Sequence, residues 1–479
     1  MNALDAPVSS TLFRPISRDL LAQFTRIVGE DFVVLPHQEE EMDRYTHDAT
    51  EDLRYFPEVV LKPGSAEEVS QIVRLCHAHY LPVTPRGAGT GLSGGALPIH
   101  QGVTLSTERL NRILAIDERN LQATVEPGVI TQVFQEAVRE KGLFYPPDPS
   151  SKGSCFLGGN LSLSAGGPKA VKYGVTKDYV LNLQVVLPTG ELIWTGANVL
   201  KNATGYNLTQ LLIGSEGTLG IITKIVFRLI PFPPRNLLLL APFRSAEEAC
   251  AAVAKIFMAG IVPSGLEFME RAAIALSARY LGLSPDLPPD IAAHLLIELD
   301  GHDIDLLHQD AERVYGVLEP FDVGEILLAD SEAQKAELWQ IRRSIGYAVR
   351  HFSARLFKEE DTVVPRAELP KLLKGVKEIG QRYQFTSVCV GHAGDGNLHV
   401  NILKGDMSDD DWNHKLSEGI AEIFRLCVAL GGTISGEHGI GLVQRPYLGL
   451  AVGEVQLQLM RGIKQVFDPH GIMNPGKIF

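Results

Sequence analysis

Apolar positions along the first half of the chain alternate between two periods. Val59-Val60-Leu61 is a β-rich run closed by Pro63-Gly64. Ser65 with Glu68 then reads as a capping box for a helix whose apolar stripe is Val69, Ile72, Val73 and Cys76. Leu81–Thr84 predicts the next short strand. Further on, the apolar runs Leu181–Leu187 and Ile221–Ile230 predict strands, and Thr131–Lys141 a helix. Three prolines in the four residues Pro231–Pro234 mark a domain boundary. Beyond it, Ala- and Leu-rich helices (Ala246–Ala259, Arg271–Tyr280) alternate with β-rich segments, an α+β pattern unlike the first half. Two domains follow, and neither repeats nor low-complexity tracts interrupt them.

Charge and cysteine usage narrow the function classes. The formal net charge of -13, with no Lys/Arg run, argues against nucleic acid as a partner. Five scattered cysteines form no C-x-x-C pair, which removes zinc ribbons, c-type haem attachment and a Cys-ligated iron–sulfur cluster within this chain. Their odd number suits a reducing compartment. No basic-then-apolar leader opens the chain and no apolar run approaches a membrane span, so a soluble cytoplasmic protein is expected, with peripheral membrane contact left open. Glycine is in excess, 46 of 479 residues, and the excess is clustered.

The first cluster is Pro85-Arg86-Gly87-Ala88-Gly89-Thr90-Gly91-Leu92-Ser93-Gly94-Gly95. Gly89 to Gly94 matches the G-x-G-x-x-G fingerprint, but Pro98 stands where the Rossmann version needs a helix under way. A loop whose backbone N–H groups converge on a pyrophosphate is the better reading. Gly158-Gly159-Asn160 and Gly166-Gly167, read as turns, and Gly214-Ser215-Glu216-Gly217-Thr218-Leu219-Gly220 share this character. Three such segments predict a long cofactor held by several loops.

With these motifs the chain resembles the vanillyl-alcohol-oxidase and para-cresol-methylhydroxylase type of flavoprotein, and its second half resembles the cap domain of the D-2-hydroxyacid dehydrogenase branch. The resemblance runs from about Pro57 to the C-terminus. It implies an N-terminal segment (1–55), a two-subdomain FAD-binding domain (56–234) and an α+β substrate domain (235–479) whose tail returns to the flavin. It assigns to FAD the residues Arg86, Gly87, Ala88, Gly89, Thr90, Gly91 and Ser93 at the pyrophosphate. Pro147, Ser154, Gly158, Asn160 and Ser164 are assigned near the flavin and phosphates, Glu216, Gly217 and Ile221 near the adenosine end, and Asn474 in the tail. The loop has no histidine, so the FAD is expected to be non-covalent.

The remaining chemistry lies between Val388 and Gly441. Gly391-His392-Ala393-Gly394-Asp395-Gly396-Asn397-Leu398-His399-Val400-Asn401 reads as two strands about a Gly/Asp turn, which brings His392 and His399 to one face. Ser435-Gly436-Glu437-His438-Gly439 adds a carboxylate and an imidazole. Two histidines and a carboxylate suit a divalent ion with open positions, Zn²⁺ first and Mn²⁺, Fe²⁺ or Co²⁺ as alternatives. The resemblance agrees. It implies His392, His399 and Glu437 as ligands and His438 as the base, with Arg342, Lys358 and Asn401 at the substrate and Arg343 an alternative to Arg342. The expected reaction is FAD-dependent oxidation of a D-2-hydroxy acid, glycolate or D-lactate, to the 2-oxo acid. Its electrons would pass to a separate acceptor: a quinone, a cytochrome, an electron-transfer flavoprotein, an iron–sulfur subunit or oxygen. A homodimer is among the assemblies allowed. Gly346, four residues after Arg342, lacks the hydroxyl of dicarboxylate-specific members and so weakens a D-2-hydroxyglutarate reading. A non-catalytic FAD-binding subunit and an NAD-dependent Rossmann enzyme are the rivals.

Overall fold

The computed structural model describes residues 13–50, 53–284, 287–353 and 357–479. The chain forms two compact units: Met1–Ala165, Val175–Phe232 and Glu437–Phe479 make one, Gly166–Gly174 and Pro233–Gly436 the other. The chain crosses between them at 165/166, 174/175, 232/233 and 436/437. Only the third crossing lies in the proline-rich stretch, so the expected 56–234 and 235–479 division is corrected by the short insertion 166–174 and by the return of 437–479 to the first unit.

In the first unit, Val59–Leu61, Val103–Ser106 and Val83–Arg86 run parallel, in that spatial order, and Val33–Val34 adds antiparallel to the outer edge. Parallel strands are buried on both faces and therefore read as unbroken apolar runs; Val59, Val60 and Leu61 are all fully covered. The helix Ala66–His79 lays Val69, Ile72, Val73 and Cys76 on them, and the helix Arg18–Val28 adds Leu20, Phe24 and Val28. Each large side chain buried here contributes about 1.5–3 kcal/mol. Ser65 caps the first of these helices by accepting from the Glu68 amide at 3.1 Å. The Glu68 carboxylate, however, accepts from the Gly64 amide at 2.8 Å rather than from Ser65, so the box closes one residue early. The next strand begins at Val83, two residues later than its apolar run suggests.

A five-stranded antiparallel sheet follows in the order Ile113–Asp117, Gln122–Val125, Ile221–Arg228, Val180–Val186, Leu192–Trp194. The helix Thr131–Arg139 sits where periodicity placed it. One local expectation is corrected: Gly158-Gly159-Asn160 is not a turn but lies within the helix Leu157–Leu163, which ends at Ser164 in the left-handed conformation.

The second unit is built on a seven-stranded antiparallel sheet: Leu327–Leu328, Arg235–Phe243, Ala293–Gly301, Gly265–Glu270, Thr386–Gly391, Asn397–Leu403, Phe357–Val363. Leu238, Met269, Leu296, Val388 and Val390 share one face and pack on the helices Arg271–Leu281 and Glu332–Phe352. Residues of opposite parity (Phe268, Leu295, Ile297, Cys389) are buried as well, so both faces are covered. The helices Ala246–Met258 and Arg271–Leu281 match their Ala/Leu-rich segments to within a residue or so. All five cysteines are buried free thiols. Among the described residues no helix is long and apolar enough to cross a membrane.

Candidate active site

The first unit brings three of the glycine segments together, while Gly166-Gly167 falls in the second. A side chain on Gly87 would touch Phe156 and Gly159, and one on Gly217 would touch Pro85. The Gly214 and Glu216 amides donate to the Leu161 and Ser162 carbonyls at 2.9 Å each. Around this convergence, Gly91, Gly159 and Gly214 face open space. Ser164 Oγ, Asn474 Oδ1 and one Arg86 terminal nitrogen are buried without a hydrogen bond. Buried polar atoms in protein interiors are otherwise almost always paired. A cradle of bare backbone with unspent polar atoms fits a flat ring system and a pyrophosphate.

The loop is held from behind. The Arg86 guanidinium donates to the carbonyls of Arg44 at 2.8 Å and His47 at 2.7 Å. Gly94 N–H donates to Thr50 Oγ1. The C-terminal segment completes the frame: Asn474 Nδ2 donates to the carbonyls of Gly95 and Glu216, and Lys477 Nζ to that of Leu97. Leu442 N–H donates to Ser93 O at 2.7 Å. Gly441 takes φ +51°, and a Cβ there would lie 2.2 Å from Ser93 O, so only glycine fits.

Glu216 has a use that its motif does not announce. It is buried, sits at φ +52°, and its carboxylate accepts from the amides of Ile440 at 2.8 Å and Gly441 at 2.7 Å. Burial pushes its carboxyl up to about 7 despite those two donors and the nearby Lys477. Lys477 is in turn brought down to about 8 by its own burial. Glu216 therefore fastens the backbone two and three residues after His438.

Other residues assigned to FAD lie as follows. Asn160 Nδ2 donates to Thr131 Oγ1 at 2.6 Å, Pro147 O accepts from Gln135, and Gly158 packs on Pro127. Ser154 is exposed and donates to Ser151 O. Ile221 is a core residue of the strand Ile221–Arg228.

The second unit supplies the side-chain chemistry. The hairpin forms as its spacing suggests, with a turn of 3₁₀ helix at Ala393–Asp395. Val390 lies opposite His399, and Val388 opposite Asn401. The His392 and His399 rings stand 5.5 Å apart, nearly perpendicular, and both are buried. Glu267, on the neighbouring strand, is wholly inaccessible; its carboxylate meets His392 Nδ1 at 2.8 Å and Arg342 Nη2 at 2.6 Å. Burial alone would raise its pKa, but the Arg342 guanidinium and the hydrogen bond from His392 outweigh that and hold it below the usual carboxylate range. An ionised acceptor at Nδ1 keeps the proton there and leaves His392 Nε2 as the lone-pair donor that a metal requires. Arg342 is buried; its Nη2 is held against Glu267, and its Nε, which makes no hydrogen bond, is left as a donor for a carboxylate.

The register also sorts the strand Phe357–Val363. Asp361 lies opposite His399 and Glu359 opposite Asn401, whereas Lys358 lies opposite Ile402. Lys358 is thus on the other face of the sheet from His399 and Asn401 and is not brought together with them. Glu359 stands in its place, 3.5 Å from His399 Nδ1. Glu437 and His438 open the C-terminal segment of the first unit, directly after Gly436, whose amide donates to Asp361 Oδ2 at 2.7 Å.

Sequence reasoning missed Glu267, Glu359 and Asp361. The first sits in an ordinary strand pattern, Gly265–Glu270, and only its charge at a core-facing position could have drawn notice.

A glycine-loop frame and a sheet-borne imidazole pair suit a flavin-linked oxidoreductase, and the comparisons agree. Residues 232–478 match the C-terminal domain of FAD linked oxidases and residues 57–196 an FAD binding domain. The chain belongs to this FAD-linked oxidase family. It is 40% identical to glycolate oxidase subunit GlcD of Bacillus subtilis (strain 168), over 91% of this chain and 92% of that protein. It is 37% identical to a D-lactate dehydrogenase of Anaerostipes hadrus, covering 98% of this chain and 99% of that one. With a D-2-hydroxyglutarate dehydrogenase of Stutzerimonas stutzeri it shares 34% identity, over 91% and 94%. In fold it is similar to p-cresol methylhydroxylase (TM-score 0.79, 18% identity, 98% of both chains). The same holds for 4-ethylphenol oxidase from Gulosibacter chungangensis (TM-score 0.74, 20% identity, 98% of both chains).

Proposed function

We propose that the protein oxidises a D-2-hydroxy acid, glycolate or D-lactate, to the 2-oxo acid, using non-covalent FAD and one divalent ion, and passes the electrons to a separate acceptor. The observation that carries this reading is the buried row Arg342–Glu267–His392–His399, a carboxylate-binding cation fixed beside a pair of imidazoles. The relatives named for glycolate and D-lactate support the same substrate class.

When bound, FAD supplies a two-electron acceptor, and a divalent ion at His392, His399 and Glu437 supplies a Lewis acid for an alcohol oxygen. The donor set fits such an ion: Glu267 fixes one imidazole, and the second ring stands 5.5 Å from it. The chain's own residues do the rest. Arg342 holds the substrate carboxylate, with Asn401 on the same face as His399. His438 takes the hydroxyl proton as the C2 hydrogen leaves with two electrons. Glu216 and the glycine contacts at Ser93 keep the His438 segment in place. No cysteine pair or haem motif offers an onward path for those electrons. A quinone, a cytochrome, an electron-transfer flavoprotein, an iron–sulfur subunit or oxygen would accept them, in the cytoplasm or at a membrane surface.

The test is anaerobic titration of the purified yellow protein with glycolate, D-lactate and L-lactate. Bleaching of the flavin band by glycolate or the D-isomer supports the proposal. A flavin that no 2-hydroxy acid reduces refutes it and favours a non-catalytic FAD-binding subunit.

A further inference from the structure

The charged residues on the catalytic face of the seven-stranded sheet stand in a definite order. Arg342 pairs with Glu267 at 2.6 Å, Glu267 with His392 at 2.8 Å, and the two imidazoles lie 5.5 Å apart. His399 Nδ1 is then 3.5 Å from Glu359. One end of the row carries a guanidinium and the other a carboxylate.

The two acids at the far end differ in their commitments. Asp361 is spent on structure: it accepts from Asn397 Nδ2 at 2.7 Å, from Ser435 Oγ at 3.0 Å and from Gly436 N–H at 2.7 Å. Glu359 is not. The His399 imidazole is its neighbour, and among the described residues no lysine or arginine pairs with it. Lys358, adjacent in sequence, is turned to the opposite face by the strand's alternation.

We propose that Glu359 is a specificity-determining residue that disfavours a second carboxylate on the substrate, restricting the site to 2-hydroxy acids whose remote end is small, neutral or cationic. The inference rests on the proposed function, with the C1 carboxylate on Arg342 and the C2 oxygen at the imidazoles. A chain longer than C2 then extends towards Glu359. Two like charges about 5 Å apart in a partly buried site interact strongly enough to change affinity by roughly tenfold to a hundredfold. A methyl group or a hydrogen in the same place meets no such opposition.

The test uses the full-length FAD-loaded protein and an artificial electron acceptor, and compares kcat/KM for D-lactate with that for D-malate and D-2-hydroxyglutarate. In Glu359→Gln the ratio of dicarboxylate to monocarboxylate kcat/KM should rise about tenfold or more, chiefly through the dicarboxylate KM. In Glu359→Lys it should rise further, and Glu359→Asp should restore the wild-type preference. Dicarboxylate affinity, read from perturbation of the oxidised flavin spectrum, should tighten in the same order. An unchanged ratio in active variants overturns the inference while leaving the proposed function standing. Loss of bound metal from Glu359→Gln also overturns it, by making Glu359 a ligand. A wild-type flavin reduced by no 2-hydroxy acid overturns both.

Discussion

The glycine-loop frame of the first unit and the hairpin site of the second solve opposite problems. The frame needs main chain to come close to main chain, and it is specified by what is missing: side chains at Gly217 and Gly441. The hairpin site needs particular side chains held at fixed spacing, and it is specified by strand register, which sets His399 opposite Val390 and Asp361. A one-residue slip in the second would send His399 and Asn401 to the other face. The frame has no comparable parity to lose. Damage to the two regions should therefore separate, flavin retention reporting on one and substrate reduction on the other.

The sharpest separation is expected from His438→Ala. The protein should keep its FAD, yet flavin reduction by substrate should slow by about 10²–10⁴-fold, the usual contribution of a general base; rapid-mixing absorbance measures it, and near wild-type reduction would remove His438 as the base. Next in size, Glu267→Ala leaves Arg342 buried without its counter-ion, at a cost of about 3–5 kcal/mol in unfolding free energy. Denaturant titration should show that loss, together with a fall in bound metal.

Gly441→Ala probes the other region. A Cβ against Ser93 O at φ +51° should destabilise by about 2–4 kcal/mol and release FAD on gel filtration. A yellow, stable variant would contradict the backbone account. A more gradual effect concerns pH. Glu216 is raised to about 7 from an ordinary 4.5. A carboxyl raised on folding leaves stability untouched below about pH 4.5 and costs progressively more as pH climbs towards 7, in all about 3 kcal/mol. Glu216→Gln should flatten the fall in stability between pH 5 and 7.5, measured by thermal unfolding with flavin bound; an equally steep fall would assign it to other groups.

The same contrast explains what could be read beforehand. Strands at Val59–Leu61 and Val180–Val186 and the hairpin about Asp395 follow from local period and turn chemistry, as does the glycine loop's departure from a Rossmann turn. Long-range pairing is not a local property. Nothing near Glu216 says that its carboxylate meets amides 224 and 225 residues away. Nothing in the strand Gly265–Glu270 says that Glu267 will sit between Arg342 and His392. The resemblance implies Lys358 at the substrate, whereas strand parity turns Lys358 away and puts Glu359 on the face of His399. Gly158-Gly159-Asn160 read as a turn because glycine weakens helices, yet packing against Pro127 overrides that preference.

The most direct test of the central claim, one frame for flavin and one sheet face for chemistry, is a single spectrum of His399→Ala titrated anaerobically with D-lactate or glycolate beside the wild type. The account predicts that both proteins are equally yellow and that only the wild type bleaches. A variant that bleaches like the wild type, or one that has lost its flavin, would contradict it.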